Sequence, residues 1–244
     1  MGSFANVCIY RLPKGEQFIF GRSKCPKCKK KINWSDNLPL ISFLILNAKC
    51  RNCKKKISLQ YFLVELVSGF CTFYIFQNYN NFTEIFFLQI LALILLIIFF
   101  IDLKHYMIPD SLNYSLIFLG LIKIFFPSDT LNFEYDMVNS FIGGMIGFFI
   151  IFLIIYLYKR YKNIEAMGLG DAKFLAAVGL FFGWKSVLLI LFMSSLMALI
   201  YVTPSLIRKS KSLYTVIPFG PYLVISSVIY FLFSDILLSF WVII

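Results

Sequence analysis

Charged residues are scarce in this chain, and their absence from long stretches limits the kinds of protein it can be. Asp, Glu, Lys and Arg make up 14% of the 244 residues, whereas 60% are hydrophobic. The stretches Phe141–Tyr158 and Ser186–Ile207 contain no charge, and Gln89 is the one polar residue in Ile85–Ile101. Runs of this length exclude the core helices of a soluble domain and predict helices that span a membrane.

The chain also lacks internal repeats and low-complexity linkers, so nothing suggests further domains. We expect an all-α polytopic membrane protein, a bundle of about seven to eight transmembrane helices with a small cytoplasmic zinc-binding loop domain. One predicted span is shorter than the roughly 20 residues that crossing requires, which fits a helix surrounded by others. The predicted spans are Leu59–Phe76, Ile85–Leu103, Leu112–Phe126, Val138–Tyr158, the short Ala172–Gly183, Ser186–Ile207 and Tyr214–Phe233.

Positive charge is concentrated near the beginning of the chain. Residues 11–57 hold thirteen Lys and Arg against two acids, and the rest of the chain has no net charge. Basic loops stay in the cytoplasm, so this segment predicts the orientation. The loops predicted outside, 78–81 and 127–136, contain no Lys or Arg, and Lys185 is the exception to the rule. Asp102 and Asp171 then lie at the cytoplasmic face.

Four cysteines lie in the basic segment as two pairs with two residues between the partners, Cys25 with Cys28 and Cys50 with Cys53. Such pairs place four thiolates within reach of one tetrahedral zinc ion, and nearby cations favour the thiolate form. The reducing cytosol disfavours disulfides. We predict a structural zinc site that folds a segment poor in apolar residues. The alternative is a solvated basic surface that only orients the chain.

Asp102 and Asp171 each stand where an apolar run meets a short polar loop. An acid at the edge of a hydrocarbon span is costly and usually has a function. Gly168 and Gly170, just before Asp171, permit close approach of a substrate or a second helix. Two neighbouring carboxylates share one proton, so one can activate water while the other polarises a peptide carbonyl. The pair therefore predicts an aspartic peptidase that needs no metal for cleavage.

Other interpretations of these acids remain open at this point. The aspartates could relay protons in a zinc-stabilised membrane transporter. The chain could also be an assembly scaffold that docks a partner through the zinc loop, in which case neither aspartate matters. A third possibility is simple helix capping, which is the interpretation favoured for Asp110 after Pro109. His105, the single histidine, is expected to be a solvated surface residue.

Small residues and prolines in the later runs carry two further expectations. Gly143 and Gly147 have the small-xxx-small spacing that lets helices approach closely, so we predict a packing role. Pro218, Gly220 and Pro221 interrupt the last run, and irregular backbone at that depth survives only where protein or water satisfies it. We expect this interruption to lie near a cytoplasmic cavity.

Five sequence features occur in a fixed order along the chain. They are residues 2–13 (GSFANVCIYRLP), the two cysteine pairs, Asp102 with Ile108-Pro109-Asp110, residues 166–171 (AMGLGD) and residues 218–222 (PFGPY). A GxGD element alone is shared among intramembrane proteases, but this set in this order is highly specific. Together these features resemble the type IV prepilin peptidases, also called leader peptidases, over essentially the whole chain.

The resemblance implies a bifunctional, multi-pass enzyme of the bacterial inner membrane. The family removes the short basic leader of type IV prepilins and type II secretion pseudopilins on the cytoplasmic side, after a glycine. It then methylates the new N-terminal residue with S-adenosylmethionine. Its aspartyl dyad corresponds to Asp102 and Asp171, and its zinc ligands correspond to the four cysteines. The position of the methyl-donor site is unknown from this sequence.

The expected domain organisation follows the resemblance. Residues 1–10 are interpreted as the remnant of a first transmembrane helix, since Met1 immediately precedes the Gly2 of the family segment; we expect a misplaced start codon or truncation to explain this. Residues 11–57 form the basic zinc-binding domain and residues 58–244 the transmembrane aspartyl peptidase domain. The expected partners are prepilin or pseudopilin precursors and membrane lipids, whose anionic headgroups suit the lysines. Nucleic acid is not expected.

Overall fold

The computed structural model describes residues 1–17, 25, 27–33, 36, 40–125, 137–163, 167–207 and 217–242. The predicted outer loop 127–136, the basic residues of loop 208–211 and the predicted start of the last span at Tyr214 lie outside the described residues. Within these ranges the regular elements are helices, with one isolated antiparallel bridge between Lys49 and Lys56.

The α-helices are numbered in chain order. They are α1 Gly2–Arg11, α2 Ile41–Ile45, α3 Leu59–Asn78, α4 Phe82–His105, α5 Asp110–Ile124, α6 Met137–Lys162, α7 Leu169–Phe182, α8 Trp184–Ile207 and α9 Gly220–Val242. The chain separates into two compact units, Met1–Ile97 and Ile98–Ile244.

Membrane-spanning character is confirmed for most of the predicted spans. In the described residues, α3, α4, α6, α8 and α9 are long and apolar enough to cross a membrane. Helices α5 and α7 are shorter, at 15 and 14 residues. Each of the seven predicted spans corresponds to one of the helices α3 to α9. The chain is therefore an all-α polytopic membrane protein.

In the first unit, α1 packs against α3 through polar contacts at closely approaching backbones. The side-chain amide of Asn6 donates a hydrogen bond to the carbonyl oxygen of Tyr61, at 3.1 Å. Farther along α3, Glu65 Oε2 accepts a hydrogen bond from the backbone N–H of Leu40, at 2.9 Å. Cys8 is buried, and Cys71 is half-buried.

In the second unit, α7 is the most enclosed helix, and it packs against α5, α6 and α8. Gly143 of α6 and Gly179 of α7 face each other so closely that a Cβ on either one would overlap the other's carbonyl oxygen. A Cβ on Gly147 would overlap the backbone of Leu175. The predicted packing role of Gly143 and Gly147 is confirmed, and so is the expectation that the short helix is surrounded.

Two details differ from the sequence-based expectations. Asp110 is the first residue of α5 and not its N-cap: Pro109 holds that position, and no side chain caps the helix. The Asp110 carboxylate instead pairs with Lys173 of α7, at 2.7 Å, because the ammonium lies across the helix interface. Helix α9 continues to Val242, beyond the predicted end at Phe233, where the backbone departs from helical geometry.

Candidate active site and metal centre

Asp102 lies in the last turn of α4 and is almost completely buried, with 4% of its surface exposed. The helix ends just beyond it because Tyr106 adopts a left-handed backbone conformation, with φ of 55°, and Pro109 cannot continue a helix. Its carboxyl Oδ2 accepts a hydrogen bond from the backbone N–H of Gly220, at 2.9 Å. Since Gly220 is the first residue of α9, the carboxylate sits at the positive end of a helix dipole.

The contact between Asp102 and α9 is possible because residue 220 is glycine. A Cβ on Gly220 would lie 2.7 Å from Asp102 Oδ2 and 3.2 Å from Ile108 Cδ1. Any side chain here would push on the carboxyl group. The interruption of the last apolar run by Pro218, Gly220 and Pro221 therefore marks where the chain approaches Asp102.

Asp171 is the third residue of α7, and its environment parallels that of Asp102. Gly168 is the N-cap with an extended backbone, and its N–H donates a hydrogen bond to Asp171 Oδ2, at 3.3 Å. A carboxylate at this position of a helix commonly binds the N-cap amide, and it also benefits from the helix dipole. Asp171 is 9% exposed.

The two carboxyl groups converge within the second unit. The Asp102 carboxyl lies near enough to Asp171 to influence it electrostatically. Ile108 links their surroundings, since its Cδ1 lies against Gly220 and its Cβ lies 3.2 Å from where a Cβ on Gly170 would be. The structure thus brings together the two acids that the sequence singles out, in a mainly apolar setting with main-chain donors. Gly168 supplies one donor, and the backbone of Gly170 packs on Ile108.

Two contributors to this site were missed by the sequence reasoning. The Gly220 amide was not recognised as a donor, although the interruption of the last run was noted. Asn113 of α5 was not considered; its amide Nδ2 donates to the carbonyl oxygen of Gly170, at 3.0 Å. The sequence signal that could have identified Asn113 was its position as a polar residue inside an apolar run. His105 is exposed, as expected.

The four cysteines of the basic segment form a cluster in the first unit. The Sγ atoms of Cys25, Cys28, Cys50 and Cys53 all lie within 4.8 Å of one another, and those of Cys25 and Cys53 are 3.9 Å apart. A tetrahedral site with Zn–S bonds of about 2.3 Å has sulfur–sulfur edges of roughly 3.8 Å. The donor set and its spacing therefore fit zinc.

The two cysteine pairs have the same local backbone structure. The N–H of Cys25 donates to the carbonyl of Lys30, and the N–H of Cys50 donates to the carbonyl of Lys55, each five residues later. Lys29 and Lys54 both have positive φ and donate back to the carbonyls of Cys25 and Cys50. This repeated turn points both thiols of a pair toward one centre.

Hydrogen bonding around Cys25 favours its thiolate form. Burial raises its pKa, but backbone hydrogen bonds from Cys28 and Lys27 and side-chain hydrogen bonds from Cys28 and Cys50 lower it, to about 7 overall. A thiolate is the form that binds a metal. At Cys53 a backbone hydrogen bond from Lys55 lowers the pKa, but burial and hydrogen bonds with the other three thiols raise it, to about 11 overall, so the thiolate form is favoured at Cys25 in particular.

The fold and the two sites define a polytopic helical membrane protein with two buried aspartates and a four-cysteine cluster whose spacing fits a metal ion. Residues 1–79 match a family model described as the bacterial peptidase A24 N-terminal domain, and residues 89–203 match the type IV leader peptidase family. The chain is 37% identical over 239 residues to a prepilin leader peptidase/N-methyltransferase of Vibrio cholerae, covering 95% of this chain and 92% of that protein. It belongs to the type IV leader peptidase family.

Similarity to other relatives also extends over nearly the whole chain. Proteins with the same name from Dichelobacter nodosus and Stutzerimonas stutzeri are 30% and 31% identical to it, each over 96% of this chain and 88% of the relative. No solved structure matches the chain significantly. The family assignment therefore rests on sequence similarity, and it makes this protein a membrane peptidase.

Proposed function

We propose that this peptidase removes the leader of type IV prepilins or pseudopilins at the cytoplasmic face of the bacterial inner membrane, using Asp102 and Asp171 as its catalytic pair. The observation that carries the proposal is the convergence of these two buried carboxyls, each held by a main-chain N–H at the beginning of a helix. The names of the relatives support the substrate class and a second, methyl-transferring step.

The hydrogen bonds assign a geometry to the reaction. Within the described part of the chain, both main-chain bonds fall on Oδ2, so we assign the Oδ1 atoms to water and substrate. The ionised partner takes a proton from water as it attacks the scissile carbonyl carbon, and the protonated partner donates to the carbonyl oxygen. Collapse of the tetrahedral intermediate, with proton transfer to the leaving nitrogen, breaks the peptide bond. The dyad ends with one proton, as it began.

Sequence topology supports the cytoplasmic location. The dense positive charge of residues 11–57 favours retention of that segment in the cytoplasm, and the alternation of spans then places the ends of α4 and α7 that carry the aspartates on the same side. A prepilin enters the bilayer through its own apolar helix. Its scissile bond would then lie at headgroup level, beside the two acids.

The cysteine cluster supports a structural role for zinc. Cys25, Cys28, Cys50 and Cys53 would hold the ion, and zinc in such a closed sulfur site would stabilise the fold of residues 11–57. Residues 58–244 would form the peptidase domain. S-adenosylmethionine would supply the methyl group for N-methylation, and no residue is assigned to its binding.

Separate Asp102→Asn and Asp171→Asn variants test the peptidase mechanism. In membranes containing a pilin precursor, each variant should leave the precursor at its full size on a gel, because an amide can neither take nor deliver the proton. Asp235→Asn serves as a control, since Asp235 is an exposed residue of α9 and lies on a different part of that helix from Gly220. Cleavage at the wild-type rate by either dyad variant would contradict the proposal. Loss of ion or solute flux with intact cleavage would instead favour a transporter.

A further inference from the structure

One face of helix α5 packs against α7 along the whole length of α7. At one end of α5, Asn113 contacts Gly170, and at the other end Lys123 donates from its buried ammonium to the carbonyl oxygen of Phe181, at 2.7 Å. Between them, Gly120 packs on Leu180. These α5 positions recur at the spacing of one helix face. Because α7 carries Asp171, this face of α5 can fix the position of Asp171 along the α7 axis and its rotation about that axis.

Asn113 makes the contact nearest to the acid. Its amide bonds the carbonyl of Gly170, which belongs to the peptide unit that joins Gly170 to Asp171. Fixing that peptide plane constrains the direction in which the Asp171 side chain leaves the backbone. Asn113 is fully buried, so its amide donor is shielded from solvent, while Gly170 is partly exposed.

The oxygen of the Asn113 side-chain amide shows that packing alone does not explain this residue. Its Oδ1 is buried and has no hydrogen-bond partner among the described residues. An unpaired buried oxygen destabilises the fold, and a leucine of similar size would avoid this cost. The donated bond to Gly170 is the feature that offsets it.

A second contact between the same helices does not replace this bond. Lys173 pairs with Asp110 at 2.7 Å, but the Asp110 side chain is 58% exposed. Exposed ion pairs contribute little and are weakened by salt. The buried amide bond is therefore the more rigid of the two.

We propose that Asn113 is a positioning residue of the peptidase, which orients Asp171 by donating its side-chain amide to the Gly170 carbonyl. This inference rests on the proposed role of Asp171 in cleavage. Asn113 itself touches neither carboxyl through a hydrogen bond in the described structure. Its effect should appear in the rate of the chemical step and not in substrate binding.

Two near-isosteric substitutions test the role of the donor. Asn113→Leu removes it at every pH and should lower kcat roughly 10- to 100-fold with little change in KM, since small misplacements of a catalytic group have effects of this size. Asn113→Asp keeps the shape and can donate only when protonated. The ratio of its kcat to that of the wild type should therefore fall as pH rises from about 5 to about 8, by at least roughly threefold.

The pH readout separates donation from packing. The ionisable groups on the elements around position 113 include Asp110 and Tyr114 on the same helix, Asp171 and Lys173 on α7, and Asp102 on α4, and all are shared by wild type and variants. Dividing by the wild-type rate at each pH therefore removes their direct contribution, and the Asn113→Leu ratio should stay flat. As a matched control, Asn78→Asp changes an exposed amide that also donates to a carbonyl, that of Tyr74, and should behave like wild type.

The outcomes distinguish this inference from the proposed function. If Asp171→Asn is inactive while Asn113→Leu keeps a kcat within about twofold of wild type, or Asn113→Asp is as slow as Asn113→Leu at every pH, the positioning role is refuted and the dyad stands. A flat Asn113→Asp ratio near one means that burial keeps the new carboxyl protonated and donating, which supports the role. If Asp171→Asn itself cleaves normally, the proposed function fails first. The thermal unfolding of each purified variant in detergent is measured alongside. A folded, slow Asn113→Leu together with a pH-dependent Asn113→Asp supports the proposal.

Discussion

Gly220→Ala perturbs the candidate active site by adding one methyl group. The new Cβ would lie 2.7 Å from Asp102 Oδ2, and ordinary contacts begin at 3.4 Å. The oxygen would have to retreat by about 0.7 Å to restore van der Waals contact. The methyl group meets the tip of a side chain and not main chain, so rotation of the Asp102 carboxyl can relieve the overlap. The main loss should therefore be alignment and not stability.

The size of the effect follows from that displacement. A shift of about 1 Å in a catalytic group can cost roughly 100-fold in rate, so a retreat of about 0.7 Å should lower kcat by roughly 10- to 100-fold. This corresponds to about 1.4 to 2.7 kcal/mol of lost transition-state stabilisation. The hydrogen bond from the Gly220 N–H, now 2.9 Å, should lengthen at the same time.

The assay is the initial rate of leader removal over a range of precursor concentrations. Gly69→Ala is the matched control, because a Cβ on Gly69 of α3 would meet nothing within 4 Å. Alanine should be tolerated there and even favoured in a helix. A Gly220→Ala enzyme with wild-type kcat would refute the steric reasoning. The free energy of unfolding of Gly220→Ala can be compared with its loss of transition-state stabilisation. If the loss of unfolding free energy is the larger of the two, the methyl group disturbs α9 and not the carboxyl.

The remaining predictions concern the metal cluster and the helix interfaces. Zinc content measured after purification should be about one ion per chain in the wild type. It should fall in Cys25→Ser and in Cys50→Ser, because each variant lacks one of the four thiolate ligands. Full retention of zinc in both variants would contradict the predicted site. Gly143→Ala should lower the free energy of unfolding by about 1 to 3 kcal/mol, as its methyl group would overlap the main chain of Gly179, and an unchanged unfolding midpoint would contradict the close α6–α7 contact. Asp110→Asn should change stability by less than about 1 kcal/mol, since the ion pair with Lys173 is exposed; a larger loss would mean that the pair is stronger in the protein than its exposure indicates.

The positions of the helices could be predicted from the sequence because their signal is local. Long apolar runs identify spans directly, and the predicted Leu59–Phe76 begins at the first residue of α3. The short span around Ala172 was harder to interpret, since its length is too small for crossing. Its burial by α5, α6 and α8 depends on neighbours that no local pattern reveals.

The candidate site could be predicted in part. Asp102 and Asp171 are conspicuous because an acid in an apolar setting is costly, and the structure places both in the second unit, in surroundings that share Ile108. Their pairing as a catalytic dyad stays a prediction. The donor to Asp102 could not be identified, since Gly220 is 118 residues away and contributes only its backbone. The predicted cap at Asp110 was wrong because an ion pair with Lys173 across the helix interface directs that side chain elsewhere. Local capping preferences cannot account for such a distant partner.

Both acids are held by main-chain amides at helix N-termini, and this arrangement explains why glycine recurs around them. No substitution except proline removes a main-chain N–H donor. Other residues at positions 168 and 220 would therefore affect these hydrogen bonds only through the space that their side chains occupy. A side chain at position 220 would occupy the space of the Asp102 carboxyl. Gly220 is therefore needed for the room it leaves, whereas a Cβ on Gly168 would make only an ordinary contact with Asp171 Oδ2, at 3.7 Å. At both positions the helix N-terminus supplies the charge stabilisation. Rigid helix ends also keep each Oδ2 engaged, and the proposed mechanism therefore assigns the two Oδ1 atoms to water and substrate.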